Sequence, residues 1–318
     1  MNSLSVRRYK MTSIKIALWA IFVFFCFMVS PVAHSAPKLP ISYWQNTVNQ
    51  HPELAEPKIM LSWHYLQQAK NTGQSAPLQL SCQQLLQGLK LQPSRNALKL
   101  AVRLTNYQHN FTLSAKLAEH YLSKWPYDSQ VRLWQLQGAI VQKLDKRIHH
   151  FASKLAKLPQ DLHTILAKAD MATYNKDYDS RRNWLTQALT QVKNKQTQAW
   201  IWLQLALIDI DWQQNLTLAD SKLTQAEQLD PNNPDIQRHR IEWLVLNRQY
   251  PQATTQLDQL QSWHQHPELS QLSAMINKKA NATIHLINVG KICHQPLTQF
   301  IARINAQENN KQIKKSSF

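Results

Sequence analysis

The sequence predicts an all-α chain: a right-handed α-solenoid of about six helix–turn–helix repeats with a C-terminal capping helix. Three observations predict it. Ala219, Leu223 and Ala226 sit at i, i+4 and i+7, one face of a helix, and thirty-four residues later Ala253, Leu257 and Leu260 repeat the pattern. A self-match at that period marks stacked helical hairpins, none of which buries its apolar face alone. Pro93, Pro126 and Pro159 are spaced by thirty-three residues, and proline stops helices, so the period appears a second time by a different device. Only four glycines occur (Gly73, Gly88, Gly138, Gly290), which removes most phosphate-cradling loops and tight-turn β architectures.

The repeat unit is clearest from Thr197 to Pro267. Ala199, Trp200, Leu203 and Ala206 precede Ala219, Leu223, Ala226 and Pro231, and in that order they resemble a tetratricopeptide repeat. The resemblance is best over residues 162–267. It departs from the family pattern at Gln204, where glycine is usual, and in about three extra residues around Asp211–Asn215. Trp134 and Gly138 stand four apart, like the family's Trp and Gly. The turn Asn175 to Asp179 resembles its Gly-Asp-Tyr-Asp turn with Lys176 in place of Gly, and Leu185 and Ala188 follow where the family has an aromatic residue and Ala.

In chain order, residues 1–36 read as an export signal. Arg7, Arg8, Lys10 and Lys15 precede an uncharged apolar run from Ile16 to Val29, and Ala33 to Ala36 offers small residues for cleavage. The competing reading is an uncleaved inner-membrane anchor at residues 14–32, short for a span of about twenty residues. Either way the chain is expected beyond a membrane, periplasmic or secreted. Residues 37–53 form a lead-in with a helical turn at Tyr43–Asn49. The repeats occupy residues 54–280. Their expected helix pairs are Pro57–Lys70 with Leu80–Leu91, Asn96–Tyr107 with Leu113–Lys124, Gln130–Gln142 with Lys146–Leu158, and Leu162–Tyr174 with Ser180–Val192. Two further pairs fall within Thr197–Pro267, and Pro267–Ala280 reads as the cap. Residues 281–318 make a basic C-terminal helix and tail, with seven Lys/Arg after Asn277 against one acid, Glu308.

Net charge is +17, or +13 once the four positive charges of the leader are removed. Such a balance reads either as a solvated face or as attraction to acidic proteins, anionic lipid or envelope polymer. The basic tail is open to the same two readings, a solubilising end or a foot on an anionic surface. Cys82 and Cys293 lie 211 positions apart without a CxxC partner. Two thiols are the expectation, since a disulfide would need the tail to fold back.

No metal site is expected. His149-His150 and His264 with His266 are spaced wrongly for one helix face, and no His-Glu-x-x-His or CxxCH occurs. The thirteen histidines read as scattered over the surface. No nucleophile elbow, P-loop or dinucleotide fingerprint is present, so neither enzyme nor cofactor is expected. Asp209 and Asp211, two apart, point away from each other at a helix end, facing groove or solvent. Trp134, Trp184, Trp200 and Trp243 fall on apolar stripes and read as core, whereas Trp212, in the lengthened turn, reads as exposed.

The tetratricopeptide resemblance implies a concave binding face lined by the first helix of each repeat. Carried over, it places Asn96, Lys99, Arg103, Asn106 and Tyr107 in that groove from the second repeat. The fourth contributes His163, Asp170, Thr173 and Tyr174, and the sixth Asp235, Arg238 and Glu242. An Asn/Lys/Arg cluster on one helix face suits a carboxylate. The expected role is a non-catalytic scaffold or assembly factor that holds another protein, or an acidic peptide segment of one, in its groove. The alternatives are an assembly subunit of c-type cytochrome maturation and a binder of anionic envelope polymer. The helical ring of a murein-cleaving enzyme lacks a visible catalytic segment, and nucleic acid is the partner least suited to the pattern.

Overall fold

The structure, a computed structural model, describes residues 39–262 together with His264, Leu269, Leu272, Ser273 and Ile276. The leader, most of the cap and the basic tail lie outside the described residues.

Thirteen α-helices follow one another among the described residues. The lead-in helix α1 spans Ile41–Gln50. Six hairpins come after it, formed by α2 (Ala55–Thr72) with α3 (Ser75–Leu91), α4 (Arg95–Tyr107) with α5 (Phe111–Lys124), α6 (Ser129–Val141) with α7 (Asp145–Ala156), α8 (Leu162–Tyr174) with α9 (Tyr178–Gln191), α10 (Lys195–Ile208) with α11 (Leu216–Leu229), and α12 (Pro234–Leu246) with α13 (Tyr250–Gln261). Each helix packs on the next, and first helices also touch across hairpins, α2 on α4, α4 on α6 and α6 on α8. This is an α-solenoid of stacked helix pairs, as the periodicity predicts.

Polar caps set the starts. From the second hairpin on, each first helix opens at Ser94, Asp128, Asp161, Asn194 or Asn233, whose side chain accepts from a backbone N–H two or three residues on. Each such cap is worth about 1 kcal/mol. Pro93, Pro126 and Pro159 stand just ahead of three of these caps.

The turns inside the hairpins explain why so few glycines are needed. Gly73 closes α2 with φ 68°, but the five later hairpins put His109, Lys143, Lys176, Gln214 and Arg248 at φ 51–61°. In each, the next N–H reaches a carbonyl five or six residues back, for example Leu144 N to Ala139 O at 3.0 Å and Gln249 N to Leu244 O at 2.8 Å. The left-handed residue thus satisfies the carbonyls that a helix end leaves open. Gly88 is required by proximity instead: a Cβ there would lie 2.9 Å from Ile59 Cγ1 and 3.4 Å from the Ala55 carbonyl.

The extra residues of the fifth hairpin become a π-helical turn, Asp209–Gln213. Asp209 does not face groove or solvent. It is fully buried and pairs with Arg182 of α9 at 2.7 Å and with Lys222 of α11. Trp212 is 53% exposed and stacks on Tyr178 with centroids 4.6 Å apart.

The core runs the length of the coil in four overlapping clusters. Ala219, Leu223, Ala226, Ala253, Leu257 and Leu260, the residues of the self-match, are all buried. Each leucine so placed stabilises the fold by about 1.5–3 kcal/mol. Trp134 and Trp200 are buried, and Trp184 and Trp243 pack against the clusters from the side. Leu269 and Leu272 are buried against Ile241 and Leu257, where a cap on the last hairpin would lie. Gln204, standing where the family has glycine, is buried and accepts from Arg181 at 3.0 Å.

The coil turns tightly enough for its ends to meet. His264 Nδ1 donates to the carbonyl of Asn71, at the end of α2, at 2.9 Å. The charge of Asp235, at the start of α12, acts on both Lys70 and Tyr107. Histidines are not confined to the surface: His120, His239 and His264 are buried. Cys82 is in a disulfide, which corrects the expectation of a free thiol, and its partner lies outside the described residues.

Candidate functional site

Helix α4 carries the centre of the predicted groove. Its sequence alternates apolar core positions (Ala97, Leu98, Ala101, Leu104) with Lys99, Arg103, Asn106 and Tyr107, which share the remaining face at i, i+4 and i+7/i+8 spacing. Of the five predicted groove residues on this helix, Asn96 alone is exposed.

Lys99 is committed to a structural hub. Its Nζ donates to both oxygens of Asp128 at 2.9 and 3.2 Å. Asp128 also accepts from Arg95 at 3.2 Å, from the Tyr121 hydroxyl at 2.7 Å and from the Val131 N–H at 3.1 Å. Burial alone would raise the Asp128 pKa, but the Lys99 charge and these hydrogen bonds hold it below the usual carboxylate range. One carboxylate thereby ties α4, α5 and α6 together.

Arg103 is different. It is 7% exposed, its Nε has no hydrogen-bond partner, and burial lowers its pKa to about 10. No carboxylate among the described residues forms an ion pair with it. Asn106, one turn on and 1% exposed, has neither its amide nitrogen nor its oxygen bonded. It lines a cleft with Phe111, Trp134, Gln135, Gly138 and Arg147. Burying the Arg103 Nε and the Asn106 amide without partners costs several kcal/mol.

Lys70, on α2, extends this positive region. Burial depresses its pKa well below the usual lysine value, the Arg103 charge lowers it further, and Asp235 opposes them. Its Nζ lies 5.4 Å from the centroid of the Tyr107 ring. Burial, with Asp235 beside it, raises the Tyr107 phenol above its ordinary pKa. Lys70 and Tyr107 thus meet the acidic start of α12 from the opposite side of the coil.

Of the other predicted groove residues Asp235 meets this cluster, and the rest do not join it. His163 Nδ1 lies 3.8 Å from Asp161, which also accepts from Ser129. Asp170 accepts from Gln137 at 2.9 Å, and Tyr174 donates to Asp145 on α7 at 2.7 Å. Thr173 bonds back to Ala169 of its own helix at 3.0 Å. Arg238 is buried and, with His239, clamps Glu242 at 2.8 and 2.6 Å. These residues hold neighbouring helices together or brace their own. Lys70, Asp128 and His239 were not foreseen. For Lys70 and His239 the visible sign was a charged or titratable residue within an amphipathic helix, whereas Asp128 stands ahead of its helix as the cap. Among the described residues no cluster of His, Cys, Asp or Glu could hold a metal ion, and no helix is long and apolar enough to cross a membrane.

Fold and inner face together define a tetratricopeptide-repeat-like solenoid. The chain is similar to a chain of the crystal structure of the APC/C hetero-tetramer Cut9-Hcn1, a tetratricopeptide-repeat structure, with a TM-score of 0.51 and 14% sequence identity over 92% of this chain. It spans 57% of that chain's length. At that identity the likeness shows the fold alone. No protein-family model matches the sequence, and no curated protein matches it.

Proposed function

We propose that this chain is an exported, non-catalytic scaffold whose inner face holds an acidic segment of another protein, with a partner carboxylate placed against Arg103. The single observation that carries the reading is the unpaired, buried guanidinium of Arg103 beside the unbonded amide of Asn106. A carboxylate there would gain charge-assisted hydrogen bonds from a donor that is already desolvated and held in place. The remaining positive charge would raise the rate of encounter with an acidic partner. Export is supported by the signal-like leader and by the disulfide at Cys82, a bond that persists in oxidising compartments.

The test is crosslinking in native envelopes followed by mass spectrometry, comparing the natural chain with Arg103→Met. Methionine keeps much of the volume and removes the charge. The reading expects the principal captured protein to disappear from the variant while its helical content is unchanged. An identical set of captured proteins would remove Arg103 from the site.

A further inference from the structure

Helix α7, the second helix of the third hairpin, turns Ile148 and Leu155 into the core. Lys146, Arg147, His150 and Lys154 are exposed, as are Lys143 in the turn ahead of the helix and Lys157 at its end. At 3.6 residues per turn, positions 146, 147, 150, 154 and 157 fall within an arc of about 100° facing away from Ile148 and Leu155. Lys143 extends this row at the front. None of its five lysine and arginine side chains forms an ion pair or a hydrogen bond among the described residues. The sequence has no acid from Lys146 to Gln160. Asp145, which opens the helix, accepts from the Tyr174 hydroxyl at 2.7 Å.

The other second helices dispose of their cations differently. Arg182 of α9 and Lys222 of α11 are both paired with Asp209, and Arg181 donates to Gln204. Helix α13 has Asp258 as its single charge, α3 has Lys90, and α5 sets Glu119 beside Lys116 and Lys124. On α7, like charges follow one another at three and four residues, a spacing that destabilises a helix. Lys143, Lys146 and Arg147 also crowd the positive end of its dipole. A row of negative charge laid along α7 would relieve both. We propose that this face of α7 is a docking surface for an anionic polysaccharide, bound lengthwise over about 20 Å of helix.

Charge complementarity and the chemistry of the surroundings select this occupant. None of the exposed large apolar side chains lies on α5, α7 or α9. A bilayer surface is held by an apolar face that enters it, and the apolar face of α7 is spent on the core. Exposed Glu119 on α5 and Asp179 on α9 flank the row and oppose a broad anionic plane, but leave a track one helix wide. Protein interfaces are depleted in lysine and anchored by buried aromatic residues, whereas this row is four lysines and one arginine. Single-stranded nucleic acid stacks its bases on exposed aromatic rings, and these three helices offer none. What remains is recognition by regularly placed cations about 5–6 Å apart, which suits sulfate, phosphate or carboxylate groups repeated along a flexible sugar chain. The surface lies on the second helix of its hairpin and does not involve Arg103.

The test is titration of the full chain with heparin as the probe polysaccharide, at several salt concentrations. The triple variant Lys146→Gln, Arg147→Gln, Lys154→Gln is compared with a control of equal net charge, Lys90→Gln, Lys195→Gln, Arg248→Gln. The α7 variant should bind at least tenfold more weakly at 150 mM salt. Its slope of log affinity against log salt should fall by about 2, or 0.7 for each cation removed. The control should stay within twofold of the natural chain. An equal loss in the control would reduce the effect to net charge and overturn the proposal. So would no heparin binding by the natural chain, or tighter α7-dependent binding to an oligo-dT strand, phosphatidylglycerol vesicles or polyglutamate. Should the α7 variant fail to fold, lysine acylation of the natural chain decides: heparin should protect Lys146, Lys154 and Lys157 and leave Lys90 reactive. Equal protection of Lys90 would contradict the assignment. The α7 variant leaves the inner face intact, so capture of an acidic partner and heparin binding fail separately.

Discussion

His264 donates from Nδ1 to the carbonyl oxygen of Asn71 at 2.9 Å, joining positions 193 residues apart. In an open solenoid each layer touches only its neighbours. Here the sixth hairpin has come round to the first. His264→Ala should leave the hairpins intact and loosen their ends. Amide exchange at the last turn of α2 and throughout α13 is expected to speed up, while α6–α9 stays as protected as before. Uniform protection across the chain would deny the contact any role.

The carboxylate of Asp128 is the most heavily used polar group in the first half. It caps α6 and accepts from Arg95, Lys99 and Tyr121. Asp128→Ala removes the cap and leaves the Lys99 ammonium and the Tyr121 hydroxyl without their acceptor, at a cost of about 3 kcal/mol. Urea denaturation measures it. A loss under about 1 kcal/mol, the range of an exposed pair, would show that water replaces the carboxylate freely.

Acid sensitivity follows from Glu242. Burial would raise its pKa, but the charges of His239 and Arg238 and their hydrogen bonds hold it at about 2, against 4.5 for a free glutamate. A depressed carboxylate stabilises the fold fully above its unfolded pKa and loses that contribution as pH falls through the folded value. Stability should therefore drop between about pH 4.5 and pH 2, by roughly 2–3 kcal/mol from this residue. Glu242→Gln should be less stable at pH 7 and flatter through that window. Parallel pH profiles for the two proteins would contradict the assignment.

The left-handed turns offer stabilising substitutions. Lys143 and Arg248 hold φ of 55° and 61°, a conformation that costs a side chain about 1–2 kcal/mol. Lys143→Gly and Arg248→Gly should each raise stability by about 0.5–1 kcal/mol after the entropy of the unfolded glycine is counted. Gln142→Gly is the control: its φ of −80° is helical, so glycine there should destabilise. Thermal melts of the three variants separate these outcomes.

Arg103 sets function against stability. A buried cation without a partner is a liability that an apolar residue of similar length removes. Arg103→Met is expected to raise the free energy of unfolding by about 1–3 kcal/mol. A destabilised variant would mean that the guanidinium is already satisfied within the fold, and the case for a partner carboxylate would weaken with it.

The architecture was legible because it is written in apolar spacing. Ala219, Leu223 and Ala226 and their counterparts thirty-four residues on are buried as the period requires, and Leu162–Tyr174 was placed to the residue. Most helix starts fell one to five residues late, since the spacing marks the buried face while the start is fixed by caps such as Asn110, Asp177 and Asn215. The site was legible only in part. Lys99, Arg103, Asn106 and Tyr107 share one face of α4, but the period carries no information on how far the coil closes. That depends on the crossing of successive hairpins, and it decides whether a polar residue meets solvent, as Asn96 does, or the opposite wall of the same chain, as Tyr107 does. The fate of Asp209 was hidden for a related reason. Two acids two residues apart diverge on an α-helix, but a π-turn redirects the first inward to Arg182 and Lys222.

The central claim is that the coil closes on itself, so that the first and sixth hairpins are neighbours. Pulsed electron–electron resonance between bio-orthogonal spin labels at the exposed positions Gln74 and Gln261 reads that separation directly. One narrow distribution at short range is the predicted result. A broad distribution centred at the far larger separation of an open rod of six hairpins would contradict it.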